Sequence, residues 1–224
     1  MARLEFITGF SITFPSNIIP IGLFTFSFAN VENLDNPSDL KFNWILGVKT
    51  SKFDIIKNGV LEDLQTNREI ASFAGRNESN GCSFADTYYS FPLQRMPNVS
   101  LLPNYEEDLS LSDMLNMMGD GLYIKGDGSW SIDMQRYNFQ FTGNIFYKVK
   151  SGKIAGMVKD VSYQSNTQDF WKNCIEVGGE STYSLEGAFN CGKGQPSQVA
   201  PVSHGAPLSL FKDIKVLNTK NENW

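Results

Sequence analysis

The sequence predicts an α+β fold, mostly antiparallel β, with a curved sheet or barrel-like body and two or three helices. Three observations lead there. Two segments place a turn pair between apolar-rich arms: "FDIIKNGVLEDL" (53–64) around Asn58-Gly59, and "IFYKVKSGKIAGMVKDVSY" (145–163) around Ser151-Gly152. Both central residues of a type I′ turn need positive φ, which Asn and Gly tolerate. Ahead of the second hairpin, "SWSIDM" (129–134) and "YNFQF" (137–141) alternate large apolar with polar residues, so four strands fall within about 35 residues. Helical spacing is confined to two segments.

The elements follow in chain order. No charge occurs between Glu5 and Glu32, a run long enough to suggest a membrane span. Pro15 and Pro20 break helix, however, and Ser16 and Asn17 add polarity. Phe10-Ile12-Phe14 and Leu23-Phe24-Phe26-Phe28 alternate as strands do. Buried strands, with no membrane span, are therefore expected. Arg3 alone makes a poor signal-peptide start, and no cleavage pattern follows.

"LSLSDMLNMMGDG" (109–121) sets Leu111, Met114, Leu115 and Met118 on one helix face, with Ser110 as N-cap and Gly119 as terminator. The methionines read as core filler. "TQDFWKNCIEV" (167–177) predicts a second helix that aligns Phe170 with Cys174 and Trp171 with Ile175. Cys174 then reads as a small apolar core residue. Residues 178–218 are rich in Gly and Pro and end in a strand-like "LSLFKDIKVL" (208–217).

Composition limits the function. Apolar residues make up 41% of the 224, with 17 Phe, enough to fill a core. A net charge of −5 without a basic run argues against nucleic acid as a partner. Cys82, Cys174 and Cys191 are too few and scattered for a disulfide framework, which fits a reducing, cytoplasmic setting.

The chemistry concentrates in "GAFNCGKGQP" (187–196), followed by the chain's only histidine, His204 in "VSHGAP". Three readings of Cys191 stand open: a nucleophile with His204 as base, a metal ligand, or a buried thiol in a tight turn. For the first, the residues lie thirteen apart and no third, orienting group is identifiable. For the second, a zinc site complete within the chain lacks HExxH, CxxC and a second His. A phosphate loop is excluded, because Gly194 follows Lys193 and Gln195-Pro196 stops any helix.

"CGKGQP", "PVSHGAP" and "IKVLNT" together resemble the C-terminal end of TldD-type proteins of the TldD/PmbA family, once labelled modulator of DNA gyrase. "RMPNVSLLP" (95–103), "IIKNGVLEDL" (55–64), "SNGCSFADTYYSFPLQRM" (79–96) and the strand region 126–156 extend the resemblance over about 53–218. Residues 1–52 form an N-terminal segment outside it, and 219–224 a polar tail.

The resemblance implies a zinc metallopeptidase acting on unfolded peptides. An HExxxH helix gives two His ligands and a general-base Glu, and the Cys of the CGK segment gives the third ligand. Only that Cys carries over, to Cys191. Three protein ligands leave the fourth zinc position to water, as hydrolysis requires. Gly192, Lys193, Gly194 and His204 are the substrate-side candidates. The glycines would let backbone approach, and Lys193 would favour the thiolate. His204 reads first as a structural turn residue, and Asp133 as the partner of Arg136, while Arg95 would meet a peptide terminus or a carboxylate.

No HExxxH occurs in this sequence, so the chain alone is expected to be inactive. It reads as the C-terminal piece of a split or truncated gene, a subunit completing a site with another chain in a dimer, or a degenerate relative. The implied partners are a TldD/PmbA-like subunit or the missing N-terminal part, and unfolded peptide. A non-catalytic interaction subunit is the alternative.

Overall fold

The computed structural model describes residues 3–9, 26–28, 44–45, 48–49, 52–95 and 98–220. The alternations expected at 10–14 and 23–25 lie outside those residues, as does most of the polar tail. The chain divides into two compact units, Met1–Gly22 with Leu102–Ser184 and Gly205–Trp224, and Leu23–Leu101 with Leu185–His204.

The first unit holds β1 (Arg3–Gly9), β10 (Gly121–Lys125), β11 (Trp130–Ile132), β12 (Asn138–Phe141), β13 (Ile145–Lys150), β14 (Lys153–Val158), β15 (Val161–Asn166), β16 (Cys174–Val177) and β19 (Ser209–Asn218). Its described strands run in the order β11-β12-β15-β19-β1-β10-β13-β14, with β16 also on β19. Only the β1–β10 pair is parallel; the others are antiparallel. The sheet is open at β11 and β14, so the described strands make no closed barrel.

The predicted turns do the joining. Ser151 (φ 48°) and Gly152 (φ 73°) close β13 onto β14. Asp133 is the post of the β11–β12 turn. Its carboxylate accepts from the Tyr137 and Asn138 backbone N–H groups at 2.8 and 2.9 Å and from the Asn138 amide. These bonds hold that carboxyl below its ordinary value. The expected Asp133–Arg136 ion pair is thus replaced by a backbone contact, Arg136 N–H to the Asp133 carbonyl. Accepting three N–H groups serves the carboxylate at least as well as an exposed guanidinium would.

α2 (Leu111–Met118) forms as predicted. Ser110 and Asp113 make a reciprocal capping box, and Gly119 ends the helix at φ 68°. Met114, Leu115 and Met118 bury against Tyr123, Val149 and Leu210, which makes the methionine stripe core.

The second predicted helix is half right. α3 (Thr167–Lys172) is capped by Asn166, and then the chain turns at Asn173 and becomes β16. β16 pairs with β19, so sheet hydrogen bonds outweigh the local helical spacing. Cys174 is still buried, but on a strand, and Ile175 faces solvent. Phe170 stacks on Phe211 with centroids 4.0 Å apart, and Trp171 meets the same ring edge-on at 5.8 Å.

The second unit is made of small sheets. β5 (Phe53–Lys57) and β6 (Val60–Leu61) form the predicted hairpin around Asn58 (φ 51°) and Gly59 (φ 76°). They join β2 (Phe26–Phe28) and β9 (Val99–Leu101). β3 (Trp44–Ile45) pairs with β4 (Val48–Lys49), and β7 (Ser83–Phe84) with β8 (Leu93–Gln94). The short α1 (Arg68–Phe73), capped by Asn67, was not foreseen. Its cap and Glu69 in the first turn are the local signal that marks it. β17 (Ser184–Lys193) and β18 (Gln198–Ala206) form a long hairpin.

Candidate metal-ligand strand around Cys191

The stretch 187–196 is not chiefly a turn. Residues up to Lys193 belong to β17, and only 194–197 make the bend. Every residue of β17 from Ser184 to Asn190 is exposed, Cys191 and Lys193 are half-buried, and Gly192 is exposed. Cys191 is therefore neither buried nor in the turn. Cys82 and Cys174, by contrast, are 0% and 7% exposed. Burial pushes the Cys82 thiol up to about 12 and raises that of Cys174 further. All three cysteines are free.

The hairpin register separates Cys191 from His204. A Cβ on Gly187 would lie 2.9 Å from the Val202 carbonyl and 3.8 Å from Ser203, so these positions face each other. Four residues further along β17, Cys191 falls opposite Gln198 and Val199, at least five positions from His204. At roughly 3.3 Å per residue the separation is about 16 Å. A thiolate–imidazole pair is excluded on that geometry.

His204 is a strand residue, 3% exposed, where a turn was expected. Its Nδ1 lies 3.3 Å from the Val99 N–H nitrogen and 3.1 Å from the Val99 carbonyl, and its Nε2 is buried without a hydrogen-bond partner. Burial lowers its pKa, opposed by the Val99 contact. Below about pH 6.5 the unfolded chain takes up a proton on this imidazole that the folded chain resists. Stability should hold above that pH and fall as pH drops below it. His204 is the only histidine, so urea midpoints at about pH 7.5 and about pH 5.5 isolate the effect. A His204→Asn variant should show a shallower fall; an unchanged fall would contradict this account.

Arg95 comes from β8's end and is 6% exposed. Its Nη2 donates to the Cys191 carbonyl at 2.8 Å, and its Nε is buried without a partner. The expected carboxylate partner is absent among the described residues. The Lys193 ammonium donates to the Gln94 carbonyl and, at 2.8 Å, to the Gln94 side-chain oxygen. Burial and the Arg95 charge hold Lys193 below the ordinary lysine range. A Cβ on Gly192 would meet nothing within 4 Å, so the backbone next to Cys191 is open on that side.

No group of three or more His, Cys, Asp or Glu residues suited to a metal occurs among the described residues. Cys191 is a lone soft donor, which fits one corner of a zinc site and not a whole one. A groove of about 800 Å³ in the first unit is lined by Ser131, Gln140, Gln164, Asn173 and Lys215, among others. It contains neither Cys191, Lys193 nor His204.

Residues 46–218 match the family model of the PmbA/TldA metallopeptidase C-terminal domain. The chain belongs to the PmbA/TldD family. This PmbA/TldD domain is 33% identical over 173 residues to a metalloprotease of Methanothermobacter thermautotrophicus, covering 77% of this chain and 36% of that one. It is 28% identical over 197 residues to a zinc metalloprotease TldD homolog of Saccharolobus solfataricus, covering 84% and 41%. The chain thus spans well under half the length of these relatives.

In fold it is similar to TldE from Thermococcus kodakarensis, with TM-score 0.68 and 16% identity over 96% of this chain and 50% of that one. A Thermotoga maritima protein described as a modulator of a DNA gyrase gives TM-score 0.66 at 18% identity, over 96% and 50%. No described helix is long and apolar enough to cross a membrane.

Proposed function

We propose that this PmbA/TldD domain is the cysteine-bearing half of a zinc metallopeptidase acting on unfolded peptides in the cytoplasm. Cys191 supplies one ligand, and an HExxxH segment outside these 224 residues supplies two imidazoles and the general base. The observation that carries the reading is the position of Cys191. It is the accessible thiol of the three, on an exposed strand, with open backbone at Gly192 beside it. When bound, zinc supplies a Lewis acid that polarises a peptide carbonyl and acidifies a water.

The chain's own residues do the positioning. Arg95 fixes the Cys191 carbonyl, and Gln94 fixes Lys193, so the CGK backbone is held from the β8 side. Among the described residues β17 pairs only with β18. Its other edge can take an extended peptide through main-chain hydrogen bonds, a recognition mode tolerant of sequence.

A second reading, a non-catalytic subunit that pairs with a TldD- or PmbA-like chain, is favoured by exposed apolar side chains. Phe189 is 88% and Tyr88 99% exposed.

The test is reconstitution. The purified chain is mixed with a family chain bearing HExxxH, and bound zinc and hydrolysis of an unfolded protein are measured. The chain alone should be silent. The mixture should retain about one zinc per pair and hydrolyse substrate until a chelator is added. A tight pair that lacks zinc and activity would favour the second reading, and chelator-sensitive hydrolysis by the chain alone would contradict both.

A further inference from the structure

Two cations sit beside Cys191 with no acid among the described residues to balance them. Arg95 is almost wholly buried, yet among the described residues its guanidinium donates only to the Cys191 carbonyl, a neutral acceptor. Its Nε–H has no partner. Lys193, two residues along β17 from Cys191, is held by the neutral oxygens of Gln94. Neither cation makes an ion pair among the described residues. Among the described residues the ion pairs of this unit lie elsewhere, at Lys57–Asp54 and Arg76–Asp63. Asp86, in the neighbouring loop, is occupied by the Ser90 hydroxyl and the Val199 N–H.

A buried guanidinium with an unused donor and a half-buried ammonium next to it are unfavourable unless an anion completes them. The planar fork of Arg matches a carboxylate, and a Lys adds a point charge. The structure assigns a ligand class: we infer that Arg95 and Lys193 seat a carboxylate of the bound peptide, next to the Cys191 backbone. The inference rests on the peptidase reading for the identity of the peptide, but not on zinc.

The experiment uses the full chain without metal. Arginine Nε–H and backbone amide NMR signals are followed during titration with N-acetyl-Ala-Ala, with its C-terminal amide, and with N-acetyl-Ala-Glu-Ala amide. The first tests an α-carboxylate, the third an acidic side chain, and the second is the uncharged control. A saturable shift of the Arg95 Nε–H and the 191–193 amides is expected with one or both acids and not with the control. Which acid responds identifies the source of the carboxylate.

Lys193→Gln should weaken the acid's binding about tenfold, because a hydrogen bond to a charged group is lost. Its half-buried position keeps the fold intact, which covers the case in which Arg95→Gln fails to fold. Equal response to acid and amide, no saturable response to either acid, or unchanged affinity in Lys193→Gln would overturn the inference. None of these outcomes depends on zinc binding, so the peptidase reading stands or falls separately.

Discussion

Phe211→Ala is expected to cost about 3–5 kcal/mol of stability, the usual loss when a buried ring leaves a cavity. Phe211 is 1% exposed. It lies on β19, the strand shared by β1, β15 and β16. Its ring also joins α3 to the sheet through Phe170 and Trp171. Removing it therefore loosens the helix, the short strand and the sheet centre together. Urea titration measures the loss. Leu185→Ala, on the exposed β17, is the control and should stay within about 0.5 kcal/mol of the wild type. Equal losses in the two variants would mean that the packing around β19 is misread.

Cys191→Ser is expected to abolish zinc-dependent hydrolysis in the reconstituted pair while leaving the fold in place. A serine hydroxyl is a poor zinc ligand, whereas a thiolate is a strong one. Loss of a group that merely hydrogen-bonds to a zinc ligand costs about 10–100-fold in many zinc sites, so loss of a ligand should reduce activity by more than about 100-fold. Cys82→Ser is the comparison. Its sulfur is fully buried and donates to the Asn80 carbonyl at 3.8 Å. That variant should lose stability and keep its metal. Activity surviving in Cys191→Ser would remove position 191 from the site.

The sequence was legible where local chemistry decides. Asn58-Gly59 and Ser151-Gly152 dictate their turns because few residue pairs accept positive φ twice. Ser110 and Asp113 mark the start of α2 by a reciprocal bond within one turn. It was illegible where distant strands decide. Cys174 and Ile175 fit a helix by spacing, yet they fall in β16, which pairs with β19, more than thirty residues downstream. His204 sits among Gly, Ala and Pro and reads as a turn, but the hairpin with β17 and the Val99 contact make it a buried strand residue. Arg95 announced a charge partner in the sequence, and the fold gave it a carbonyl. Of the site, the thiol was legible from its resemblance to a known segment, while its neighbours Gln94 and Arg95 emerge only when β8 is brought beside β17.

The most direct test of the central claim is the absorption spectrum of the reconstituted pair with cobalt(II) in place of zinc. Sulfur at position 191 as a ligand predicts a thiolate-to-cobalt charge-transfer band in the wild type and none in Cys191→Ser. An identical band in both, or cobalt bound with no such band in the wild type, would contradict it.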